Sequence, residues 1–369
     1  MGTPRPHPEV LLRRYWEEPD TPFVTAGLSL LSVGYRVALG IRETAYGCRL
    51  LRTGRLPCPV VSIGNITLGG SGKTPMVELA VLGLRQLGAQ PAVVTRGYGR
   101  KTRGVHVVSD RDRIQLGARA AGDEPVLLAE HLPGTPVVVG ENRFEAGQVA
   151  IERCGATVLV LDDGFQHRSI GKDLEIVVVN GRAPWGQGHL FPRGMLREPL
   201  AGLGRADLIV ITNPPTGAEV DAATATIRRY NKHAPVLVAG FEMTDAQEMT
   251  SGRRVSPGEL AGRKLLAFAG LGSPRSFVDT LEGAGIALTD MIEFPDHHWF
   301  TPSELPELSR QARQSGAEGL ITTEKDWMRL RDQPPPSVPL WVLMVRLRLD
   351  SGQEAWLRAL EGVLSAAGR

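Results

Sequence analysis

The stretch that decides the fold is GNITLGGSGKTP at residues 64–75, which directly follows the apolar run PVVSI at residues 59–63. Glycine adopts the backbone angles that let several N–H groups point towards one anion, and the next run, MVELAVLGLRQLG, is typical of a helix. A strand, a glycine-rich loop ending in Lys-Thr and a helix predict a phosphate-binding loop. The nucleotide site is then formed by consecutive residues of this loop: Thr67, Leu68, Gly69, Gly70, Ser71, Gly72, Lys73 and Thr74.

Within this loop, we expect Lys73 to reach the β- and γ-phosphates and the Thr74 hydroxyl to ligate Mg²⁺. Thr67 stands where the strict pattern has glycine. A glycine-rich turn with an incidental lysine is the alternative interpretation. The strand before the loop and the helix after it favour the nucleotide site.

The rest of the chain alternates strand and helix patterns. Its 369 residues suffice for two domains, and 42% hydrophobic with 22% charged residues is typical of a folded chain. A net charge of +2 gives no global field for nucleic acid, and the three cysteines have no metal-ligand spacing. Runs such as ATVLVLDD (156–163) and LEIVVVN (174–180) are typical of parallel strands buried on both faces. We therefore predict an α/β fold, a doubly wound, mostly parallel sheet of the P-loop NTPase type.

Asn213-Pro214-Pro215 follows the strand pattern ADLIVIT and predicts a hinge. Beyond it, further strand patterns from APVLVAG (234–240) to VPLWVLMV (338–345) predict a second, smaller α/β domain. The predicted division is an N-terminal helical segment at 1–57, a nucleotide-binding core at 58–212 and a C-terminal domain at 213–369.

The N-terminal segment contains the uncharged stretch PFVTAGLSLLSVGY at 22–35. It is shorter than the roughly 18–20 apolar residues that a membrane span requires. Helical spacing places five residues on an apolar face: Val24, Leu28, Leu31, Tyr35 and Leu39. It places five others on the opposite face: Thr25, Ser29, Ser32, Arg36 and Glu43. This predicts an amphipathic helix lying in a membrane interface, near six arginines: Arg13, Arg14, Arg42, Arg49, Arg52 and Arg55. A helix packed on the protein's own core is the alternative.

Two further motifs carry candidate chemistry. In VLVLDDGFQHR, Asp162 and Asp163 end a buried strand, where a carboxylate holds Mg²⁺ directly or through water. In EFPDHHWF, Asp296 and His297 combine a carboxylate with an imidazole, which carries protons near neutral pH. A helix N-cap is the alternative interpretation of Asp163 alone.

Seven motifs occur in order along nearly the whole chain: GNITLGGSGKTP, TRGYGR, GDEP, LDDGFQHR, MLREP, FPDHHWF and TTEKDWMRL. Together they resemble the tetraacyldisaccharide 4′-kinase family of the lipid A pathway. The resemblance implies a P-loop phosphotransferase with an alcohol group as acceptor and with ATP and Mg²⁺ as cofactors. Its reaction would phosphorylate the 4′-hydroxyl of a tetraacylated glucosamine disaccharide 1-phosphate, giving the 1,4′-bisphosphate.

The resemblance also implies residue roles. Asp123 and His297 match the catalytic dyad that activates the sugar hydroxyl, and Asp296 would orient His297. Thr74, Asp162 and Asp163 would manage Mg²⁺. Contacts with substrate or transferring phosphate are implied for seven residues: Arg96, Tyr98, Glu124, Arg143, Gln166, His167 and Arg197. The role of Glu324–Lys325–Asp326 stays open, because a strand-to-helix cap explains these residues equally well.

The implied partners are the lipid disaccharide 1-phosphate and, through the N-terminal helix, the membrane surface, with neither nucleic acid nor an obligate protein partner. The implied location is the cytoplasmic face of the bacterial inner membrane, as a peripheral or monotopic protein. With Asp123 and His297 assigned to opposite predicted domains, we expect domain closure over ATP. Two other functions stay open: a kinase for a different sugar or small-molecule hydroxyl, and a P-loop ATPase in which the Asp-His-His loop is structural.

Overall fold

A computed structural model of the chain describes residues 15–16, 22–272 and 274–367, which form two compact units. The first unit comprises the described residues up to Val94, residues 143–239 and the described residues from Leu349 onwards. The second comprises residues 95–142 and the described part of 240–348. Arg13 and Arg14, like parts of the predicted segment 1–57, lie outside the described residues.

The first unit contains a parallel sheet. Its strands are β1 (Val60–Gly64), β2 (Pro91–Thr95), β5 (Val158–Asp162), β6 (Leu174–Asn180), β7 (Leu208–Thr212) and the beginning of β8 (Val236–Glu248). They lie in the order β8–β7–β6–β1–β5–β2, and each neighbouring pair runs parallel. All residues of β1, β2, β5 and β7 are buried, which is why their sequences lack alternation. The predicted α/β fold with a mostly parallel sheet is confirmed.

The helices of this unit are α1 (Pro22–Gly47), α2 (Lys73–Gln86), α5 (Arg143–Cys154), α6 (Gly217–Tyr230) and α11 (Gln353–Ala367). Two short 3₁₀ turns, Gly186–Gly188 and Leu200–Arg205, complete it. Helix α2 connects β1 to β2, and its buried side chains recur at helical spacing: Met76, Val77, Ala80, Val81 and Leu84. The connection fixes the loop before α2 at the carboxyl end of β1, beside the carboxyl end of β5.

Helix α1 is the only helix in the described part of the chain that is long and apolar enough to cross a membrane, judged by length and composition. It continues through Arg36 for 26 residues, so the helix is longer than the apolar stretch read from the sequence. Only Ser32 and Leu39 are buried. Ser32 Oγ donates to the carbonyl of Leu190 at 2.7 Å, and the Tyr35 hydroxyl donates to the carbonyl of Arg197 at 2.8 Å.

The side of α1 that contacts the protein therefore combines residues from both of the faces predicted from the sequence. Ser32 and Glu43, which the helical spacing places on the polar face, contact the protein, since Glu43 pairs with Arg168. Val24 and Leu31, which it places on the apolar face, are exposed. Other large apolar side chains of α1 are also exposed: Phe23, Leu30, Val33, Val37 and Ile41.

The second unit contains a parallel group of strands in the order β11–β10–β12–β13: β10 (Lys264–Ala269), β11 (Ala287–Glu293), β12 (Gly319–Thr323) and β13 (Leu340–Ser351). It also holds the antiparallel pair β3 (His106–Ser109) and β4 (Val137–Val139), and β9 (Arg254–Val255) paired with the end of β8. Its helices are α3 (Ala118–Ala121), α4 (Asp123–His131), α7 (Pro257–Leu260), α8 (Pro274–Gly283), α9 (Glu304–Gln314) and α10 (Glu324–Leu330).

The predicted division at residues 212–213 does not match these units. Residues 95–142, assigned by sequence order to the 58–212 core, belong to the second unit, and the predicted hinge at 213–215 lies within the first. The strand predicted at 234–240 pairs in parallel with β7 over Val236–Ala239, which ties it to the first unit. The chain passes between the units at residues 94–95, 142–143, 239–240 and 348–349, because each unit is assembled from separated segments.

Candidate active site

The glycine-rich loop after β1 is held in place by polar contacts from neighbouring strands. Gly69 and Gly72 have positive φ angles of 92° and 83°, which glycine adopts without strain. Thr212 Oγ1 donates to the carbonyl of Ser71 at 2.9 Å, and Asn180 Nδ2 donates to the carbonyl of Gly70 at 3.1 Å. These bonds occupy loop carbonyls, and the loop leads directly into the amino-terminal end of α2, whose free N–H groups favour an anion.

The departure from the strict loop pattern at Thr67 has a local reason. Thr67 is buried and forms an antiparallel bridge with Leu196, and the N–H of Leu68 donates to the carbonyl of Met195 at 2.7 Å. Its φ is not positive, so this position does not require glycine.

Asp163 lies at the centre of a cluster of charges beside this loop. The Arg197 guanidinium binds it with two hydrogen bonds, Nη1 to Oδ1 at 2.5 Å and Nη2 to Oδ2 at 2.9 Å. Lys73 Nζ lies 3.6 Å from Oδ1. Burial favours a raised pKa for Asp163, but the Lys73 charge, the Arg197 hydrogen bond and charge, and the Arg143 charge hold the pKa well below its usual range. We call Lys73, Asp163 and Arg197 the phosphate-loop cluster.

The remaining residues predicted in this unit surround the cluster. Asp162 is the buried last residue of β5, and Thr74 is the half-buried second residue of α2. Arg143 is buried at the beginning of α5. Gln166 Nε2 donates to the carbonyl of Asn65 at 2.7 Å and to Glu198 Oε1 at 2.8 Å, so its amide holds two loops together. His167 follows it as a half-buried residue.

The predicted catalytic pair comes together within the second unit. Asp123 is the first residue of α4, and its side chain is only 4% exposed. His297 Nδ1 lies 3.1 Å from Asp123 Oδ2 and 3.3 Å from Oδ1. His297 has a positive φ of 59°, an uncommon backbone conformation for a residue other than glycine that clusters at functional sites. The expectation that the pair comes from opposite domains differs from this arrangement, since both residues belong to one unit.

Two cations of helix α10 compensate the buried Asp123 carboxylate. Arg329 Nε lies 3.5 Å from Asp123 Oδ2. Lys325 Nζ lies 3.0 Å from Glu124 Oε1, 3.4 Å from Asp296 Oδ1 and 3.5 Å from His297 Nε2. Burial favours a raised pKa for Asp123, but the His297 hydrogen bond and the charges of Lys325, His297 and Arg329 hold the pKa well below its usual range. We call Asp123, His297, Lys325 and Arg329 the dyad cluster.

Asp296 contacts His297 differently from the predicted orienting role. Its Oδ1 accepts the backbone N–H of His297 at 3.0 Å and lies 3.9 Å from ring Nε2, beyond hydrogen-bond distance. The hydrogen bond to the ring comes from Asp123 instead. Asp296 therefore fixes the backbone at His297, while Asp123 orients the imidazole.

The RGYG loop brings Tyr98 to the same histidine. The rings of Tyr98 and His297 lie 5.0 Å apart between centroids, and Arg96 is exposed on this loop. Gly122 has φ 99°, and a Cβ there would lie 2.9 Å from the Tyr98 carbonyl oxygen. The glycine of GDEP therefore lets the Tyr98 loop pack against the beginning of α4.

Sequence reasoning gave no role to Asn65, Lys325 or Arg329. Asn65 directly follows β1 and accepts a hydrogen bond from Arg197 Nη1 at 3.0 Å. Thr323 caps α10 by accepting the Asp326 N–H at 3.1 Å, so the predicted strand-to-helix cap is present. The same helix delivers Lys325 and Arg329 to the dyad, and the available signal was the cationic side chains of TTEKDWMRL. No group of three or more His, Cys, Asp or Glu among the residues with described positions is arranged to hold a metal ion.

The parallel sheet and the phosphate-loop cluster define a P-loop nucleotide-binding protein, and the second unit adds a carboxylate–imidazole pair typical of proton transfer. The chain belongs to the tetraacyldisaccharide-1-P 4′-kinase (LpxK) family, whose model matches residues 24–364. The resemblance seen in the sequence motifs is thereby confirmed.

Individual relatives agree with this membership. A tetraacyldisaccharide 4′-kinase from Syntrophus aciditrophicus is 40% identical over 351 residues, which cover 91% of this chain and 94% of the relative. A tetraacyldisaccharide 4′-kinase from Geobacter metallireducens is 42% identical over 308 residues, covering 83% and 89%. The crystal structure of LpxK from Aquifex aeolicus in complex with ATP matches with a TM-score of 0.73 and 30% identity, covering 92% of this chain and 99% of that one.

Proposed function

We propose that this protein phosphorylates the 4′-hydroxyl of a tetraacylated glucosamine disaccharide 1-phosphate, using ATP and Mg²⁺, to give the 1,4′-bisphosphate. The observation that carries the proposal is the buried Asp123 carboxylate hydrogen-bonded to the His297 imidazole, in a member of a P-loop kinase family. Such a pair accepts the proton that an attacking hydroxyl loses.

The nucleotide would be held by residues 67–74. Lys73 and Arg197 supply positive charge beside the loop, and the backbone at the beginning of α2 adds its dipole. When bound, ATP supplies the phosphoryl group and Mg²⁺ neutralises its charge. Thr74, Asp162 and Asp163 fit Mg²⁺ because a hydroxyl and two carboxylates are the hard oxygen donors that it prefers, and the low pKa of Asp163 keeps that carboxylate ionised.

The acceptor hydroxyl would be activated by the dyad. Asp123 holds Nδ1 of the His297 ring, and Asp296 fixes the backbone that carries the ring. The dyad and the phosphate loop belong to different compact units. Phosphoryl transfer therefore requires both units to bind the substrates at once, and we propose that ATP binding promotes closure of the two units. The crossings at residues 94–95, 142–143, 239–240 and 348–349 are better hinge candidates than 213–215.

Substrate contacts are proposed for the seven residues that the resemblance implies: Arg96, Tyr98, Glu124, Arg143, Gln166, His167 and Arg197. Arg96 and Tyr98 have exposed side chains in the loop beside His297, which suits direct contact with a sugar or phosphate. Glu124, Gln166 and Arg197 hold neighbouring protein groups, so their effect on substrate would include keeping these loops in place.

A lipid acceptor suits the exposed apolar side of α1. Phe23 is 90% exposed, Leu30 74% and Ile41 66%, although each is a large hydrophobic residue. The nearby arginines Arg36, Arg49 and Arg52 are exposed and suit anionic headgroups. We propose that α1 lies on the cytoplasmic face of the bacterial inner membrane as a peripheral or monotopic element.

The decisive test is transfer of ³²P from [γ-³²P]ATP to a purified tetraacyldisaccharide 1-phosphate dispersed in detergent. We expect labelled lipid, and phosphatase sensitivity at the 4′ position rather than the 1 position. Release of labelled inorganic phosphate without labelled lipid would instead support a P-loop ATPase. Labelling of a different sugar or small-molecule hydroxyl in preference to the lipid would support a kinase of other specificity.

A further inference from the structure

The dyad cluster continues behind Asp123 into a second buried ion pair that the reaction scheme does not use. The side chains of Arg329 and Asp326 are both 0% exposed, and Arg329 Nη2 donates to Asp326 Oδ1 at 2.6 Å. Two buried charges of this kind cost free energy unless their remaining polar atoms also find partners. The other hydrogen bonds of Asp326 and Arg329 therefore show which parts of the fold hold this ion pair.

Asp326 is fully occupied by the scaffold of its own unit. Its Oδ1 also accepts the backbone N–H of Gly270 at 3.0 Å, and its Oδ2 accepts the Thr323 hydroxyl at 2.6 Å. Arg329 Nη2 makes a second bond, to the Gly270 carbonyl at 3.2 Å. One edge of the guanidinium is thus anchored between α10 and the end of β10.

The other edge of the guanidinium faces the dyad. Arg329 Nε lies 3.5 Å from Asp123 Oδ2, the same oxygen that lies 3.1 Å from His297 Nδ1. Nε and Nη1 make no hydrogen bond to any residue that the structure describes. Asp123 Oδ1 accepts the Glu124 N–H at 3.0 Å and lies 3.3 Å from His297 Nδ1, so Oδ2 is the oxygen nearer to the imidazole and the one beside the guanidinium.

We infer that Arg329 is a positioning residue, whose guanidinium, anchored by Asp326, holds the Asp123 carboxylate ionised and turned towards His297 Nδ1. The inference rests on the proposed function for its effect on turnover. A purely structural Arg329 would need only the edge bound to Asp326 and Gly270, whereas its Nε also lies 3.5 Å from Oδ2, the Asp123 oxygen nearer to the imidazole.

The charges around Asp123 agree with this role. Helix α4 packs against α10, α3, β3 and β4. The cations that act on Asp123 are Lys325 and Arg329 of α10, with His297 from the Asp-His-His loop, and Glu124 on α4 is paired with Lys325. Arg119 of α3 lies over the Trp299 ring at 5.0 Å, and His106 of β3 contacts the carbonyl of Arg103 at 2.8 Å; β4 carries no titratable group. Arg329 therefore acts with Lys325 and His297 to lower the pKa of Asp123 against the effect of burial.

The test compares Arg329→Met, Arg329→Lys and the control Arg331→Met in the full chain. Arg331 lies two residues further along the chain and pairs with Glu130 at the surface. We expect Arg329→Met to lower kcat of lipid phosphorylation about 10- to 100-fold, no more than the lower end of the roughly 10²- to 10⁴-fold that general-base catalysis contributes, with little change in the KM for ATP. The acid limb of the kcat–pH profile should move to higher pH, because Asp123 loses a cation that favours ionisation. Arg329→Lys should recover part of kcat, and Arg331→Met should resemble wild type.

A second readout does not depend on turnover. In ¹⁵N-histidine-labelled protein, His297 in the wild type should show a downfield Nδ1–H proton typical of a hydrogen bond to carboxylate, and Arg329→Met should weaken or lose it. If the wild type transfers no phosphoryl group, the proposed function fails while this spectrum still tests the positioning role. If a folded Arg329→Met variant keeps the wild-type kcat and the wild-type acid limb of the kcat–pH profile, the inference is overturned. It is also overturned if kcat falls while the His297 spectrum and the acid limb stay unchanged. If Arg329→Met does not fold, Arg329→Lys decides by the same spectrum, since a lysine cannot hold both edges.

Discussion

The phosphate-loop cluster and the dyad cluster are both built around an aspartate with a depressed pKa, yet their charge balance differs. Asp163 faces Lys73 and Arg197, with the Arg143 charge also acting on it, so cations outnumber the carboxylate they surround. In the second unit, the four carboxylates of Asp123, Glu124, Asp296 and Asp326 outnumber the two permanent cations among them, Lys325 and Arg329. An excess of cations prepares a site for an anionic ligand, whereas an excess of carboxylates supplies groups that can accept a proton.

The two clusters also differ in how the chain assembles them. The phosphate loop is one run of eight residues, 67–74, which is positioned by the strand before it and the helix after it. The dyad joins residues 174 positions apart and takes its cations from a third segment. Consequently the phosphate loop follows from backbone rules, whereas the contacts of Asp163 with Lys73 and Arg197, like those of the dyad, depend on the packing of separate segments.

The largest effect is expected for substitutions in the dyad, which should lower the rate of phosphoryl transfer without weakening ATP binding. Asp123→Asn and His297→Ala should each lower kcat of lipid phosphorylation by about 10²- to 10⁴-fold, because the acceptor hydroxyl loses its proton acceptor. ATP binding, measured by calorimetry, should remain close to wild type. The control is His298→Gln, since His298 pairs with Glu304 rather than Asp123. A dyad variant with more than half of the wild-type kcat would remove the dyad from the mechanism.

A substitution in the phosphate-loop cluster should affect both ATP binding and phosphoryl transfer. Lys73→Met should lower kcat/KM by about 10²- to 10³-fold, because a preorganised cation at the transferring phosphate is lost. Unlike the dyad variants, it should also weaken ATP binding in the same calorimetric assay. Arg85→Met, at the far end of α2, serves as the control. Unchanged ATP affinity in Lys73→Met would contradict the assignment of the loop.

A smaller effect concerns stability against pH. The pKa of Asp123 is lower in the folded chain than the value of about 3.9 for an unfolded aspartate, so its ionised form stabilises the fold above about pH 4 and this contribution is lost as the pH falls further. Asp123→Asn should therefore reduce the free energy of unfolding at pH 7, with the difference from wild type narrowing below about pH 4. Asp163→Asn should behave in the same direction but less strongly, because the Asp163 side chain is 32% exposed against 4% for Asp123. Urea unfolding at several pH values measures both, and a gap that widens on acidification would contradict the stated sign.

The smallest effect on chemistry is expected outside both clusters. Leu30→Ser combined with Ile41→Ser should leave kcat on detergent-dispersed substrate unchanged, because both side chains are exposed. Flotation with anionic lipid vesicles should nevertheless show weaker binding, since apolar area for the membrane is removed. Leu39→Ser, at a buried position of the same helix, is expected to lower Tm instead. Vesicle binding equal to wild type in the double variant would argue against α1 as the lipid contact.

The sequence by itself determined the elements whose causes are local. Turn chemistry and periodicity located the phosphate loop, the helix after it and the buried strands, with LEIVVVN matching β6 residue for residue. The acidic pair at the carboxyl end of β5 was correctly placed at the end of a strand, because a parallel strand paired with β1 ends beside the loop that follows β1. The motifs also identified Asp123 and His297 as a pair, through their family resemblance.

Only the tertiary structure decided which distant segments share a unit and which charges meet. Residues 95–142 join the second unit, the serine-bearing side of α1 contacts the protein, and α10 delivers Lys325 and Arg329 to Asp123. Sequence spacing reports the periodicity of a helix or strand, but the partner of a buried charge depends on where packing brings a separate segment. The phosphate loop was therefore readable from consecutive residues, whereas the support of the dyad became visible only in the folded chain.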